Sequence, residues 1–229
     1  MKGYILLEGG AEFGGGMAEP DSRAIELAGG FDGEVSIVPA AAAPDNNHER
    51  AGQNGVSWFK ELGAKRVTLL PLIDHASANQ NQIVTSLLNS RLIYLLGGFP
   101  LYLKNTLEGS LGWQSIVKAY REGSVVGGSS AGAMVLGEHF YDPETRGIVT
   151  GLTLIPRICI IPHHDASGRR WASHLSQAVP GDIIVGIDEQ TGIIDDGADG
   201  TWNVYGKGSV TLYRNGAAEI YRRGETFSL

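Results

Sequence analysis

The chain has 229 residues, 42% of them hydrophobic and 19% charged, which is an ordinary composition for a globular protein with a substantial core. A net charge of −7 argues against nucleic acid or an anionic membrane as partner, since both require a basic face. The single cysteine excludes an internal disulfide, and Cys159 lies in the apolar run 157–161, so it reads as a buried thiol. Residues 1–7 carry one lysine and too brief an apolar stretch for a signal peptide or a membrane span, so a cytoplasmic location is expected. No repeat or low-complexity linker interrupts the chain, and residues 1–229 are expected to form one domain.

Short apolar runs alternate with amphipathic ones through the first two thirds. A first strand is predicted at 4–7 and is ended by Gly9-Gly10. A helix capped by Asp21 or Ser22 follows and stops at Gly29-Gly30. Strands at 35–38 and 67–70 flank a helix at 48–62, and a helix at 79–88 precedes the strongest strand, 92–96. Helical pieces at 101–107 and 113–121 lead to a strand ending near Gly127, then to Gly128-Ser129-Ser130-Ala131-Gly132 and a helix-like stretch to 136. A strand at 158–161 and a helix at 169–178 come next. Beyond them no long helical pattern returns, and strands are predicted at 183–187, 191–194, 202–205, 210–213 and 219–221. The early strands are continuously apolar, as parallel strands covered on both faces must be. The fold class expected is therefore α/β: a doubly wound, mostly parallel sheet with helices on both faces. Extra antiparallel strands from the C-terminal third are expected to extend the same sheet edge.

Ligands of such sheets bind at the carboxyl ends of the strands. The Gly128–Gly132 pentapeptide has the layout of a nucleophile elbow, in which a tight strand-to-helix turn lifts the Ser130 hydroxyl out of the sheet. Gly97-Gly98 ends another strand and can turn backbone N–H groups toward a developing oxyanion. The base should be a histidine at a strand end. His163-His164 meets that requirement, whereas His48, His75, His139 and His174 lie in helices, in a loop or beyond the elbow helix. An orienting carboxylate could come from Asp188-Glu189, again at a strand end, or from Asp142, between serine and histidine. The glycines near the N-terminus miss the Gly-x-Gly-x-x-Gly register, because Glu19 stands where the third glycine belongs. No phosphate-loop lysine motif is present, and adjacent strand residues such as His164 and Asp165 point to opposite faces, so neither a nucleotide nor a metal is expected.

These residues together resemble the cyanophycinase and dipeptidase E family of serine peptidases, whose fold is like that of class I glutamine amidotransferases. The likeness rests on the opening strand with its Gly-Gly loop, Leu96-Gly97-Gly98, the stretch from Gly128 to Ala133, His163-His164, and Gly186-Ile187-Asp188-Glu189-Gln190-Thr191. It implies Ser130 as nucleophile, His164 as base and Glu189 as orienting acid, with Gly98 and Ala131 supplying oxyanion-hole N–H groups. The dipeptidase E pattern would instead favour Asp142 as the acid; His163 and Asp188 are alternates. Phe99-Pro100 replaces the Asp-Gln or Asn-Thr that usually continues the Gly-Gly pair, and Asp165-Ala166 replaces a Phe-Ser pair. Phe99 and Arg169 are candidate substrate contacts, the arginine for a carboxylate.

The sequence thus points to a serine hydrolase that cleaves a short peptide or isopeptide amide through an acyl-enzyme intermediate. No cofactor, metal, nucleic acid or membrane is called for, and a homodimer is left open. The alternatives are a catalytically silent binding module with the amidotransferase-like fold, or an esterase using Asp142.

Overall fold

The computed structural model describes residues 2–229. Its first half alternates strand and helix: β1 (Ile5–Glu8), α1 (Ala18–Leu27), β2 (Glu34–Val38), α2 (His48–Glu61), β3 (Arg66–Leu69), α3 (Asn81–Asn89), β4 (Leu92–Leu95), α4 (Pro100–Leu107), α5 (Leu111–Arg121) and β5 (Val125–Ser129). Local chemistry places the helix starts. Pro100 occupies the first turn of α4, where its missing N–H costs nothing. The Ser110 Oγ caps α5 by accepting the Trp113 N–H at 3.0 Å. The second half holds α6 (Ala131–Met134), β6 (His139–Asp142), β7 (Gly147–Thr150), β8 (Ile158–Ile161), α7 (Ala172–Ala178) and β9 (Ile183–Ile187), then β10 (Thr191–Ile194), β11 (Trp202–Gly206), β12 (Ser209–Arg214), β13 (Ala217–Arg222) and β14 (Thr226–Phe227).

The strands form two sheets, in the orders β14-β11-β10-β1-β5-β4-β2-β3 and β13-β12-β9-β8-β6-β7. β1, β5, β4, β2 and β3 are parallel, and β10, β11 and β14 extend that sheet antiparallel from β1. This is the α/β architecture expected, with one correction. The C-terminal strands do not all extend one sheet edge. β8, β9, β12 and β13 leave it and, with the β6–β7 hairpin that periodicity did not reveal, build a second sheet. The helix expected at 169–178 likewise begins as a 3-10 turn, Gly168–Trp171, ahead of α7.

The sheets share one core. Leu7, Ile93, Leu95 and Val126 of the first meet Ile160, Val185, Ile187 and Leu212 of the second, with Leu103, Ile116 and Ala133 from the helices between them. α1 and α2 cover the other face of the first sheet over Leu6, Ile37 and Tyr94. α7 covers the second sheet over Cys159, Ile161 and Ile184.

Two crossings between the sheets matter for function. The turn from β5 into α6 carries Ser130 and leads toward the second sheet. The segment Asp188-Glu189-Gln190 returns from β9 to β10 in the first. The loop after β1 fastens the junction: the His163 N–H donates to the Gly9 carbonyl at 2.7 Å and the Gln190 N–H to the Gly10 carbonyl at 3.1 Å.

Candidate active site

The Ser130 turn is as tight as the glycine spacing requires. Ser130 sits at φ 48°, ψ −112°, a region costing a non-glycine residue about 1–3 kcal/mol. A Cβ on Gly128 would lie 2.4 Å from the Gly132 carbonyl carbon, and one on Gly132 would lie 2.1 Å from the Leu95 carbonyl oxygen. Neither position can carry a side chain. The Ser130 N–H is fixed to the Glu8 carbonyl at 3.0 Å, so β1 holds the strained turn in place.

Ser130 Oγ lies 3.0 Å from His163 Nε2, and His163 Nδ1 lies 2.8 Å from Glu189 Oε1. With the ring proton on Nδ1, donating to the carboxylate, Nε2 is left to accept the serine proton. The structure brings His163, rather than the expected His164, to Ser130. His163 adopts φ 48°, which swings its ring toward β5, and the next residue is carried the opposite way. His164 is buried, with Nδ1 3.1 Å from Asp188 Oδ1 and Nε2 2.8 Å from the Tyr213 hydroxyl. Asp188 therefore serves His164 and leaves His163 to Glu189. Asp142 is also removed from the site: it is buried at the end of β6, where one oxygen accepts the Thr145 N–H at 2.8 Å and the Thr145 hydroxyl at 2.6 Å.

Ala131 follows Ser130 in the chain, and Gly98 follows Gly97, where a Cβ would lie 3.3 Å from the Ser130 Cβ. Gly98 has φ 137°, and a Cβ there would lie 2.2 Å from the Ala41 carbonyl oxygen, so this position is glycine by necessity. The N–H groups of Gly98 and Ala131 donate to no other described residue. Phe99 is half-buried, its N–H bound to the Ala41 carbonyl at 2.9 Å. Arg169 is exposed on the turn that begins at His163, and its N–H donates to the His164 carbonyl at 3.1 Å. Its guanidinium forms no ion pair among the described residues, whereas the neighbouring Arg170 stacks over Trp171 at 5.9 Å.

Beneath the turn lies a group of buried acids that sequence reading missed. Glu8, which pairs with Ser129 across β1 and β5, accepts a hydrogen bond from the Tyr94 hydroxyl. Asp21 accepts the Trp58 indole N–H at 2.7 Å. The Glu12 carboxyl closes the group beside Gly97, where a Cβ would lie 3.1 Å from Glu12 Oε1. Burial is the main cause of a raised pKa in all three: Glu8 lies well above the carboxylate range, and Glu12 and Asp21 are pushed up to about 7. The one available signal was Glu8 ending an otherwise apolar strand. Two of its neighbours, Asp21 and Tyr94, stand 13 and 86 residues away in sequence, beyond the reach of local pattern. Among the described residues no group of three or more His, Cys, Asp or Glu is arranged to hold a metal ion.

Comparison with known proteins identifies a hydrolase of the serine type. The model of peptidase family S51 matches residues 5–201, and the chain belongs to that family as a serine peptidase. Cyanophycinase of Synechococcus elongatus is 32% identical over 223 residues, covering 92% of this chain and 68% of that protein's length. Cyanophycinase of Nostoc sp. (strain PCC 7120) is 30% identical, covering 92% and 73%. The crystal structure of a peptidase from an acI-B1 Actinobacterium superposes with a TM-score of 0.87 at 28% identity, covering 100% of this chain and 98% of that one. No helix among the described residues is long and apolar enough to cross a membrane.

Proposed function

We propose that Ser130, His163 and Glu189 are the catalytic triad of a peptidase that cleaves a short peptide or isopeptide amide through an acyl-enzyme intermediate. One observation carries the reading: the continuous chain from Ser130 Oγ to His163 Nε2 at 3.0 Å and from His163 Nδ1 to Glu189 Oε1 at 2.8 Å. In this mechanism Ser130 attacks the scissile carbonyl carbon while its proton passes to His163 Nε2. Glu189 supports the imidazolium that forms, and the Gly98 and Ala131 N–H groups receive the oxyanion. Collapse breaks the C–N bond, and His163 returns the proton to the departing amine. Water then attacks the Ser130 ester, giving its proton to His163, and the acid product leaves with the serine restored.

Phe99, next to Gly98, and Arg169, on the turn after His163, are kept as candidate substrate contacts, an aromatic ring and a guanidinium without an ion pair among the described residues. The pair suits a substrate with an apolar group and a carboxylate. Fluorophosphonate labelling followed by a library of dipeptides and isopeptides tests the reading, with cyanophycin, for which the relatives are named, included in the screen. Native protein should label and hydrolyse at least one member. Ser130→Ala and His163→Ala should each lower turnover by at least about 1,000-fold. Labelling that persists in Ser130→Ala would overturn the assignment. A native protein that binds library members without cleaving them would favour the silent binding module.

A further inference from the structure

The ends of β8 and β9 each carry a doubled residue, His163-His164 and Asp188-Glu189, and these form two His–carboxylate pairs side by side. The outer pair, His163 and Glu189, has side chains 33% and 40% exposed. Apart from His163, no side chain holds the Glu189 carboxylate among the described residues. A solvated carboxylate on a crossing segment keeps its rotamer and its distance only if its backbone is immobilised.

The inner pair has the opposite character. The His164 side chain is 1% exposed, and both of its ring nitrogens are used, by Asp188 at 3.1 Å and Tyr213 at 2.8 Å. The second Asp188 oxygen accepts the Ser209 N–H at 2.9 Å and the Ser209 hydroxyl at 2.7 Å. The backbones are tied as well, His164 N–H to the Ile187 carbonyl and Asp188 N–H to the Ser209 carbonyl, both at 3.1 Å. The His164 ring lies flat on Gly186, where a Cβ would come within 2.4 Å of Cδ2. β8, β9 and β12 are thereby joined one residue away from both members of the outer pair. A network satisfied at every atom in a dry site is rigid, whereas the same network with one member missing is costly.

We infer that His164 and Asp188, anchored by Ser209 and Tyr213, are positioning residues that set the His163–Glu189 distance and hence aim Nε2 at Ser130. The inference rests on the triad reading above. Displacing a reacting group by about 1 Å can lower a rate about 100-fold without touching the substrate.

Inactivation kinetics with a rhodamine-tagged fluorophosphonate test it on the full chain, because the maximal rate reports Ser130 activation and the half-saturating concentration reports probe binding. His164→Leu removes both inner bonds and should lower the maximal rate about 100-fold with half-saturation within about twofold. Tyr213→Phe should lower it about 10-fold. His164→Asn can still donate to Asp188 and should restore most of the loss, a rescue that mere core filling would not give. If His164→Leu does not fold, as judged by circular dichroism, Tyr213→Phe and Ser209→Ala carry the test at the surface end of the network. Folded variants reacting at the native rate would overturn the positioning role alone. Native protein that fails to label, or Ser130→Ala that labels, would overturn the triad reading instead and the positioning role with it.

Discussion

Replacing Glu12 by glutamine should stabilise the protein at pH 8 and leave it almost unchanged near pH 5. The Glu12 carboxyl is enclosed beside Asp21, with one oxygen unpartnered, and its pKa is pushed up from 4.5 to about 7, mainly by burial. A carboxyl raised on folding prefers its proton in the folded state. Its full contribution is therefore present below pH 4.5 and is lost as the pH rises through about 7. The difference amounts to roughly 3 kcal/mol above pH 7, an upper figure because the neighbouring acids share the same protons. Glutamine has nothing to ionise and is close to the carboxyl in size and shape. Urea unfolding followed by tryptophan fluorescence from pH 5 to pH 8.5 measures the effect. The native protein should lose stability across this range, and Glu12→Gln should lose distinctly less, keeping only the part owed to Glu8 and Asp21. Parallel curves for the two proteins would falsify the account of Glu12 as a raised, buried acid.

Three further outcomes are expected. Glu189→Gln should lower turnover about 100-fold or more with little change in KM, since an amide can orient His163 but cannot support its charge; Asp142→Asn, measured alongside, should stay near native. Gly10→Ala should lower turnover about 100-fold, because φ is 122° there and the new Cβ would lie 2.2 Å from His163 Cε1, a displacement visible as slower fluorophosphonate labelling in a folded protein. Cys159, buried and pushed up to about 12, should be inert to a thiol-disulfide reagent at pH 8 until the chain is unfolded in urea.

The alternation of apolar strand and amphipathic helix, the glycine-bounded serine and the polar pairs at strand ends were all legible in the sequence, because each is a local property of a few neighbouring residues. Local pattern could not say that the chain divides between two sheets. β9 and β10 both read as apolar strands, yet β9 pairs with β8 and β12, and β10 with β1 and β11. Nor could it choose between His163 and His164. They are the same residue type at adjacent positions, and the choice depends on a backbone bend, φ 48° at His163, that the Gly9 carbonyl holds from the loop after β1. The acids under the Ser130 turn were out of reach for the same reason: Glu8 finds Tyr94 at a sequence separation of 86. Local pattern was enough for a doubly wound core, a serine on a turn that admits no side chain at Gly128 or Gly132, and a pool of two histidines and two carboxylates at strand ends. Tertiary structure alone decided how that pool divides, His163 with Glu189 toward Ser130 and His164 with Asp188 into the core. Facing depends on where separate strands bring their ends together, and no single strand encodes that.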